Sequence, residues 1–436
     1  MSISRRGFLK SAAAASAGLL VLPSRAFGAG ERINIAFVGA GGKGWHAIKS
    51  LRQNRQINMA AFVDVDQDRA SQAYKEHPNV PRFTDFRAML DKLKDGVDAI
   101  IISTPDHTHH YIATQCMKAG KHVYVEKPLT HNIAEARDLM KLERATGLAC
   151  QMGNQGHSGG GIVLMDAWLK SGVLGRVEEV HAWATPQWSF EDRRPPREPV
   201  PAGFDWDKWL GPAAEVPFNK SYIRGHWRGW FEFGGGTLGD WFCHNADAPY
   251  SALGLDCPKR VEIESTGAKK LSFPESAKIT FAFDRPDGSG EIKLCWYQGK
   301  TFLPPRPRDM ERGRQMGNDS GGTQVVCKNA TIVTATHAAP PRIVPFKKYR
   351  AMQKSLPKPN LRRSSHWDNW LNAIKGKETC RSNFAYGGRL TETMQFGNIA
   401  LHVNRNIRID PKTREIVGDE DARAMMSWPT PRAGWL

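Results

Sequence analysis

RINIAFVGAGGKGWHAIKSLRQNRQINMAAFVD, residues 32–64, decides the fold. Ile33 to Val38 is a short apolar run rich in branched side chains, and Gly39, Gly41 and Gly44 follow it at once in G-x-G-x-x-G spacing. Helix-compatible sequence comes next, so the stretch reads as strand, tight turn and helix start. In such a turn the first glycine permits the bend, the second lets a pyrophosphate approach the backbone, and the third lets helix pack on strand; the helix N-terminus adds N–H groups and positive dipole. Gly42 and Lys43 complete the loop. A second apolar run, Ile57 to Val63, ends in Asp64, where a carboxylate can accept both hydroxyls of an adenosine ribose and repels a 2′-phosphate. The expected ligand is a dinucleotide, NAD in preference to NADP. Lys43, a cation in the same loop, keeps NADP open.

Beyond Asp64 helical and strand patterns alternate: helices over 67–77 and 85–93, a continuous apolar strand over 97–103 (VDAIIIS), helix 108–119, strand 122–125, helix 132–145 and strand 149–153. This is a doubly wound α/β pattern, with ligands expected at the carboxyl ends of a parallel sheet. Three strand ends are polar. Ser103, Thr104, Pro105, Asp106 and His109 belong to a loop that also carries His107 and His110. The three histidines straddle loop and helix start without the separated ligands of a zinc site, so no metal is expected, and the loop is read as lining the nicotinamide half of the cofactor. Glu126-Lys127-Pro128 places a lysine at the cleft edge, where a partly desolvated ammonium suits proton exchange with a hydroxyl; a solvated lysine is the plainer reading. Asn154, Gln155 and His157 close the last strand and can hydrogen-bond nicotinamide or substrate hydroxyls, or form an ordinary turn.

The strands after Gly159 change character. Those over 176–185, 259–266, 278–284 and 291–297 alternate polar and apolar residues, as in an antiparallel sheet with one packed face. Loops are expected over 193–201 and 306–314, helices over 364–376 and 387–403, and a tail over 427–436 docked on the body. In WRGWFEFGGGTLGDWFCHNAD, residues 227–247, three glycines precede a helix-like run in which Asp240 and His244 stand four apart, on one face. The imidazole has the pKa to move a proton near neutrality, and the carboxylate can orient it or hold a substrate hydroxyl. Seven of the fourteen tryptophans lie between Trp183 and Trp241, Trp230 among them. They offer faces for sugar rings, or core packing.

A chain of 436 residues exceeds what one core usually organises. With 40% hydrophobic and 24% charged residues it has an ordinary globular composition, and its formal charge is +17. The basic residues are mostly dispersed. The stretch 342–363, with eight Lys or Arg and no acid, lacks any framework for entering a nucleic-acid groove and is read as a solvated, proline-rich loop, with contact to an acidic glycan as the sharper alternative. Nucleic acid is not an expected partner. The seven cysteines show neither C-x-x-C nor metal-ligand spacing and read as buried thiols. At the N-terminus, Ser4 to Lys10 form S-R-R-x-F-L-K before a small-residue apolar run. Residues 1–29 resemble a twin-arginine export signal, too short for a permanent membrane span. The expectation is an exported, periplasmic protein, handled folded by the twin-arginine machinery with its nucleotide retained and recycled.

The glycine loop, Asp64, the Thr-Pro-Asp run, Glu126-Lys127-Pro128 and the Gly-Gly-Gly…Asp240…His244 segment together resemble the glucose-fructose oxidoreductase, inositol dehydrogenase and MocA (Gfo/Idh/MocA) family over nearly the whole mature chain. Residues 153–158, 205–212 (DWDKWLGP) and 227–239 look like an exported environmental-bacterial subgroup of it. The resemblance implies a Rossmann domain over 30–155, and an α+β domain with an open-faced, mainly antiparallel sheet for substrate and oligomerisation over 156–436. It implies NAD or NADP, sugar or cyclitol carbinols as substrates, and a homo-oligomer. Residue by residue, it makes Lys127, Asp240 and His244 catalytic, and brings Thr104, Pro105, Asp106 and His109 near nicotinamide. Where the family usually has asparagine this chain has Asp106, so that side chain's contacts stay open. The expected function is an exported NAD-dependent sugar oxidoreductase. One alternative is glycoside cleavage through a 3-keto intermediate and elimination; another is a non-catalytic nucleotide- or glycan-binding protein.

Overall fold

The computed structural model describes residues 31–435, so the leader expected over 1–29 lies outside the described residues. In the first sheet, β1 (Ile33–Val38), β2 (Ile57–Val63), β3 (Arg82–Phe83), β4 (Ala99–Ile102), β5 (His122–Val125) and β6 (Cys150–Met152) run in the order β3-β2-β1-β4-β5-β6, all parallel. Their connections carry α1 (Lys43–Leu51), α2 (Ser71–Glu76), α3 (Phe86–Leu93), α4 (His109–Lys118) and α5 (Ile133–Thr146). Strand order reverses between β1 and β4, and the crevice there receives both the glycine loop and the Ser103 loop. α2 is shorter than the helix expected over 67–77, because the Asp66 side chain accepts the Arg69 N–H at 3.0 Å and holds a turn before the helix starts.

The second sheet has nine strands. β7 (Val177–Ala184), β8 (Arg260–Ser265), β9 (Ala277–Asp284), β10 (Glu291–Gln298), β11 (Gly321–Cys327), β12 (Thr331–Ala335), β13 (Arg342–Val344), β14 (Ile407–Asp410) and β15 (Glu415–Ile416) lie in the order β13-β12-β11-β7-β10-β9-β8-β14-β15. Only the β7/β10 pairing is parallel, so the sheet is mixed and mainly antiparallel. The same part of the chain carries α6 (Gly160–Lys170), α7 (Trp206–Leu210), α8 (Gly236–Asn245), α9 (Asp247–Ala252), α10 (Phe346–Met352), α11 (His366–Ile374) and α12 (Phe384–Val403), of which α11 packs back on the six-stranded sheet through Trp370, Leu371 and Ile374. One sheet face packs into the main core through Val180, Ala182, Leu294 and Trp296; the other carries His181, Cys295 and Tyr297.

The expected loop over 342–363 begins instead as β13 and α10. Ile343 and Val344 pair with Ile332 and Thr331, and these two branched residues outweigh the flanking cations. α12 starts before the expected 387 because the Asn383 side chain accepts the Tyr386 N–H at 2.9 Å. It is buried on almost every side and acts as a strut: Thr391 Oγ1 accepts the Leu129 N–H, Gln395 donates to the Thr130 and His131 carbonyls, and Asn398 donates to Gly235 O. All seven cysteines are free and six are buried, Cys380 being half-buried. Among the described residues no helix is long and apolar enough to cross a membrane.

Candidate active site

The glycine loop is shaped by close approach. Gly39 has φ +83°, and a Cβ on Gly44 would fall 1.6 Å from the Gly39 carbonyl oxygen, so only glycine lets α1 start this near β1. Asp64, at the end of β2, accepts the Gly41 N–H (2.8 Å) and the Asp66 N–H (2.9 Å). Burial nonetheless raises its pKa to about 6 against those two bonds. The guanidinium of Arg69 lies beside Gly42. Lys43 points the other way, with Nζ 3.9 Å from Glu126 Oε1, so the cation near Asp64 that bears on a 2′-phosphate is Arg69 and not Lys43.

A cleft of about 360 Å³ runs from Asp64, Arg69 and Phe86, past Gly39, Gly41 and Ser103 to Asp106, to Glu126, Lys127, Asp240 and His244. At its far end the two domains meet. Lys127 Nζ donates to the main-chain oxygen (2.5 Å) and Oδ1 (2.6 Å) of Asp240 on α8. Arg228 Nε (2.9 Å) and Trp188 Nε1 (2.9 Å) also donate to that carboxylate. Burial alone would raise the Asp240 pKa, but the charges of Lys127 and Arg228 outweigh it and hold the group ionised, well below the usual carboxylate range. His244 stands one turn on, buried, and its ring packs 4.0 Å from that of His337. Burial first, then Lys127 and His337, push its pKa well below 6.5, so it is a neutral imidazole at neutral pH. Asp240 and His244 share a helix face without a hydrogen bond between them; the carboxylate accepts from Lys127, Arg228 and Trp188.

Several expected contacts are placed elsewhere. Gln155 donates to Tyr124 Oη (3.0 Å) and Glu126 (3.4 Å), behind the cleft wall. His157 is buried against Asp247, with Nδ1 2.9 Å from Oδ1 and its ring on Tyr386. Trp230 lies in an aromatic core with Trp209, Tyr222 and Phe233, stacked on Phe190. None of the three lines the cleft, because each finds its partners in the interior. His109 also supports instead of lining: its two ring nitrogens reach Pro128 O and Thr104 O at 2.9 Å, tying two cleft loops together. Asp106 lines the cleft and accepts the Gly235 N–H at 3.3 Å; burial, opposed by Arg228 and Lys127, raises its pKa to about 7. Residues without a forecast in the sequence also line it: Arg69, Arg228, His337 and Trp435. The tail docks as expected, through Arg432 to Gly211 O (2.6 Å) and Asp207 O (2.8 Å).

A dinucleotide fits these residues. Ser103 Oγ, Glu126 Oε2, both side-chain polar atoms of Asn154 and His244 Nδ1 are buried without a protein partner, at the ends of β4, β5 and β6 and on the facing α8. Polar atoms so buried are normally satisfied, and a polar ligand in the cleft would satisfy those of Ser103, Glu126 and His244, which line it; Asn154, fully buried, does not line it.

Comparisons with known proteins agree. The model for an oxidoreductase family with an NAD-binding Rossmann fold, GFO_IDH_MocA, matches residues 33–154, and that family's C-terminal alpha/beta domain matches 168–292. A 4-carboxy-2-hydroxymuconate-6-semialdehyde dehydrogenase of Sphingobium sp. (strain NBRC 103272 / SYK-6) is 33% identical over 122 residues, 28% of this chain and 38% of its own. Glycosyl hydrolase family 109 protein 1 of Shewanella sp. (strain ANA-3) is 27% identical over 206 residues, 40% of this chain and 44% of its own. The chain thus spans less than half the length of these curated relatives. The WlbA dehydrogenase from Bordetella pertussis, solved with NADH and UDP-GlcNAcA, shares the fold with a TM-score of 0.58 at 16% identity, over 87% of this chain and 99% of that one. With the two family models together covering more than half of its length, nucleotide domain first, this chain belongs to the Gfo/Idh/MocA oxidoreductases and carries their NAD-binding Rossmann fold.

Proposed function

We propose that the protein is an exported NAD-dependent oxidoreductase that interconverts a ring hydroxyl and a ketone on a sugar or cyclitol, with the nucleotide retained and recycled by a second substrate. The observation that carries this reading is the meeting of Lys127 with Asp240, beside neutral His244, at the end of the cleft that begins at the glycine loop. Gly39, Gly41, Asp64, Ser103, Thr104 and Glu126, which line the cleft, would hold the nucleotide, which supplies hydride acceptance and return when bound. His244, uncharged, is ready to take the hydroxyl proton at a ring nitrogen. Lys127 donates a hydrogen bond to the same oxygen, and its ammonium is aimed by an Asp240 that stays ionised and so positions instead of carrying a proton. Positioned acid–base groups of this kind contribute about 10² to 10⁴ in rate. Lys127→Ala and His244→Ala should each lose about that much turnover across a panel of hydroxy and keto sugars, while fluorescence titration shows NADH still bound. Full activity in both would refute the assignment.

A second reading is favoured by the glycosyl hydrolase relative: transient oxidation acidifies a neighbouring C–H, a base takes that proton as the aglycone leaves, water adds to the resulting double bond, and the ketone is reduced again by the same nucleotide. His337, the second imidazole beside His244, provides a further proton-accepting group for that sequence. Aglycone release with no net change in NADH separates it from simple dehydrogenation. Export rests on the S-R-R-x-F-L-K leader; cell fractionation of wild type against a double Arg5→Lys, Arg6→Lys variant tests it. The homo-oligomer is tested by light scattering on the purified protein.

A further inference from the structure

On the face of the nine-stranded sheet turned away from the main core, on residues that the cleft does not share, three side chains of metal-binding type converge. His181 of β7 pairs in register with Cys295 of β10, and Glu179, two residues before His181, points to the same face. One ligand atom from each lies within 4.8 Å of the others. His181 Nε2 is 3.2 Å from Glu179 Oε2, and Cys295 Sγ is 3.4 Å from Glu179 Oε1. On the far side of the imidazole, Tyr297 Oη is 3.0 Å from His181 Nδ1. A proton kept on Nδ1 and donated to Tyr297 leaves the Nε2 lone pair aimed at the cluster, which is how second partners orient metal-binding histidines.

We propose that Glu179, His181 and Cys295 bind one divalent transition-metal ion, zinc being the best chemical match, with water in the fourth position. Thiolate, imidazole and carboxylate are all zinc ligands, and three protein ligands with one open position is a known tetrahedral arrangement. Bond lengths of about 2.0 to 2.3 Å put tetrahedral ligand atoms roughly 3.5 Å apart, close to the two spacings seen. A hard cation such as calcium would want six or more oxygens, which this cluster does not offer. On binding, the Cys295 thiol releases its proton to solvent and the sulfur lone pair forms the bond; with Glu179 the ligands then bring two negative charges to a 2+ ion. The side chain of Glu179 is 41% exposed, which leaves an entry path, while His181 and Cys295 are fixed in adjacent strands. Lys278, on the same face, is engaged by Glu264 at 2.7 Å.

The test is a Co²⁺ titration of the untagged, chelator-stripped full chain under a phosphine reductant. One equivalent should raise a thiolate-to-cobalt charge-transfer absorption together with tetrahedral d–d bands, and one equivalent of Zn²⁺ should abolish both. Cys295→Ser should remove the charge-transfer absorption, and His181→Ala and Glu179→Gln should weaken Co²⁺ binding roughly tenfold or more. NADH binding by each variant reports its fold, and Glu179→Gln, the most exposed change, decides if a buried variant fails to fold. No charge-transfer band in the wild type, a band that survives Cys295→Ser, or affinity unmoved by Glu179→Gln would overturn the proposal.

Discussion

Asp106 offers a test of the site's electrostatics that needs no substrate. It stands where the family usually has asparagine, is 4% exposed, and keeps its proton up to about pH 7. Burial is the main cause, Asp240 adds to it, and Arg228 and Lys127 oppose it without winning. In the unfolded chain the same group titrates near 3.9. Between those values the folded protein binds one proton more than the unfolded, so stability from this group falls as pH rises, by about 1.4 kcal/mol per unit, and levels off above about pH 7. Asp106→Asn keeps a carbonyl oxygen for the Gly235 N–H and never ionises. Between pH 5 and pH 8.5 the variant should therefore gain about 3 kcal/mol on the wild type, from two units of titration. Asp64 and Glu143, also raised by burial, are common to both proteins and cancel. Urea unfolding of both proteins at the two pH values measures the change. A stability difference that is the same at both, or that moves in favour of aspartate as pH rises, would show that Asp106 is not carrying the proton.

Two other perturbations bear on the same cleft and a third on the strut behind it. Gly44→Ala puts a methyl group 1.6 Å from the Gly39 carbonyl oxygen, and separating α1 from β1 should abolish NADH binding and cost about 1–3 kcal/mol by thermal or urea unfolding. Trp435→Ala removes an aromatic ring that lines the cleft beside Tyr111 and Arg87; the Kd for NADH should rise about threefold to tenfold in a fluorescence titration, and no change would move the adenosine elsewhere. Glu392→Ala, on the α12 strut, takes the fully buried partner from Arg137 and Arg414, which keep Glu415 and Asp256, and should destabilise by about 1–3 kcal/mol in urea unfolding.

The nucleotide half of the molecule was legible because its signals are local. Ile33 to Asp64 contains strand, turn, helix and acid within one stretch, and the bond from the Gly41 N–H to Asp64 joins residues of that same stretch. The pairing of Lys127 with Asp240 spans 113 residues and two domains, so no spacing could announce it; the family resemblance brought the two together. Residue type misled where direction mattered. His157 and Gln155 follow a strand end as ligand-binding residues do, but Asp247 and Glu126 draw them inward, and nothing in Gly153 to Ser158 records those partners. Trp230 carries the right ring for a sugar, yet Phe190 and Tyr222 pack against it within a buried aromatic cluster. Arg228 was hidden within a run of tryptophans, and His337 sits in a turn with φ +60° whose sequence has no helical or strand period.

These late arrivals change how the proton chemistry divides. An aspartate four residues before a histidine suggests a dyad in which the carboxylate raises the imidazole's basicity. Here Asp240 is shared among Lys127, Arg228 and Trp188, and His244 feels the lysine's positive charge and a second imidazole more than it feels the carboxylate. Burial first, then those two groups, keep the histidine neutral and available as a base, beside an aspartate that does not take up protons near neutrality. Lys127, donating to Asp240, and neutral His244 therefore line the same end of the cleft before any ligand arrives. The α12 strut holds them there, since its bonds reach both the loop after Lys127 and the glycines before α8.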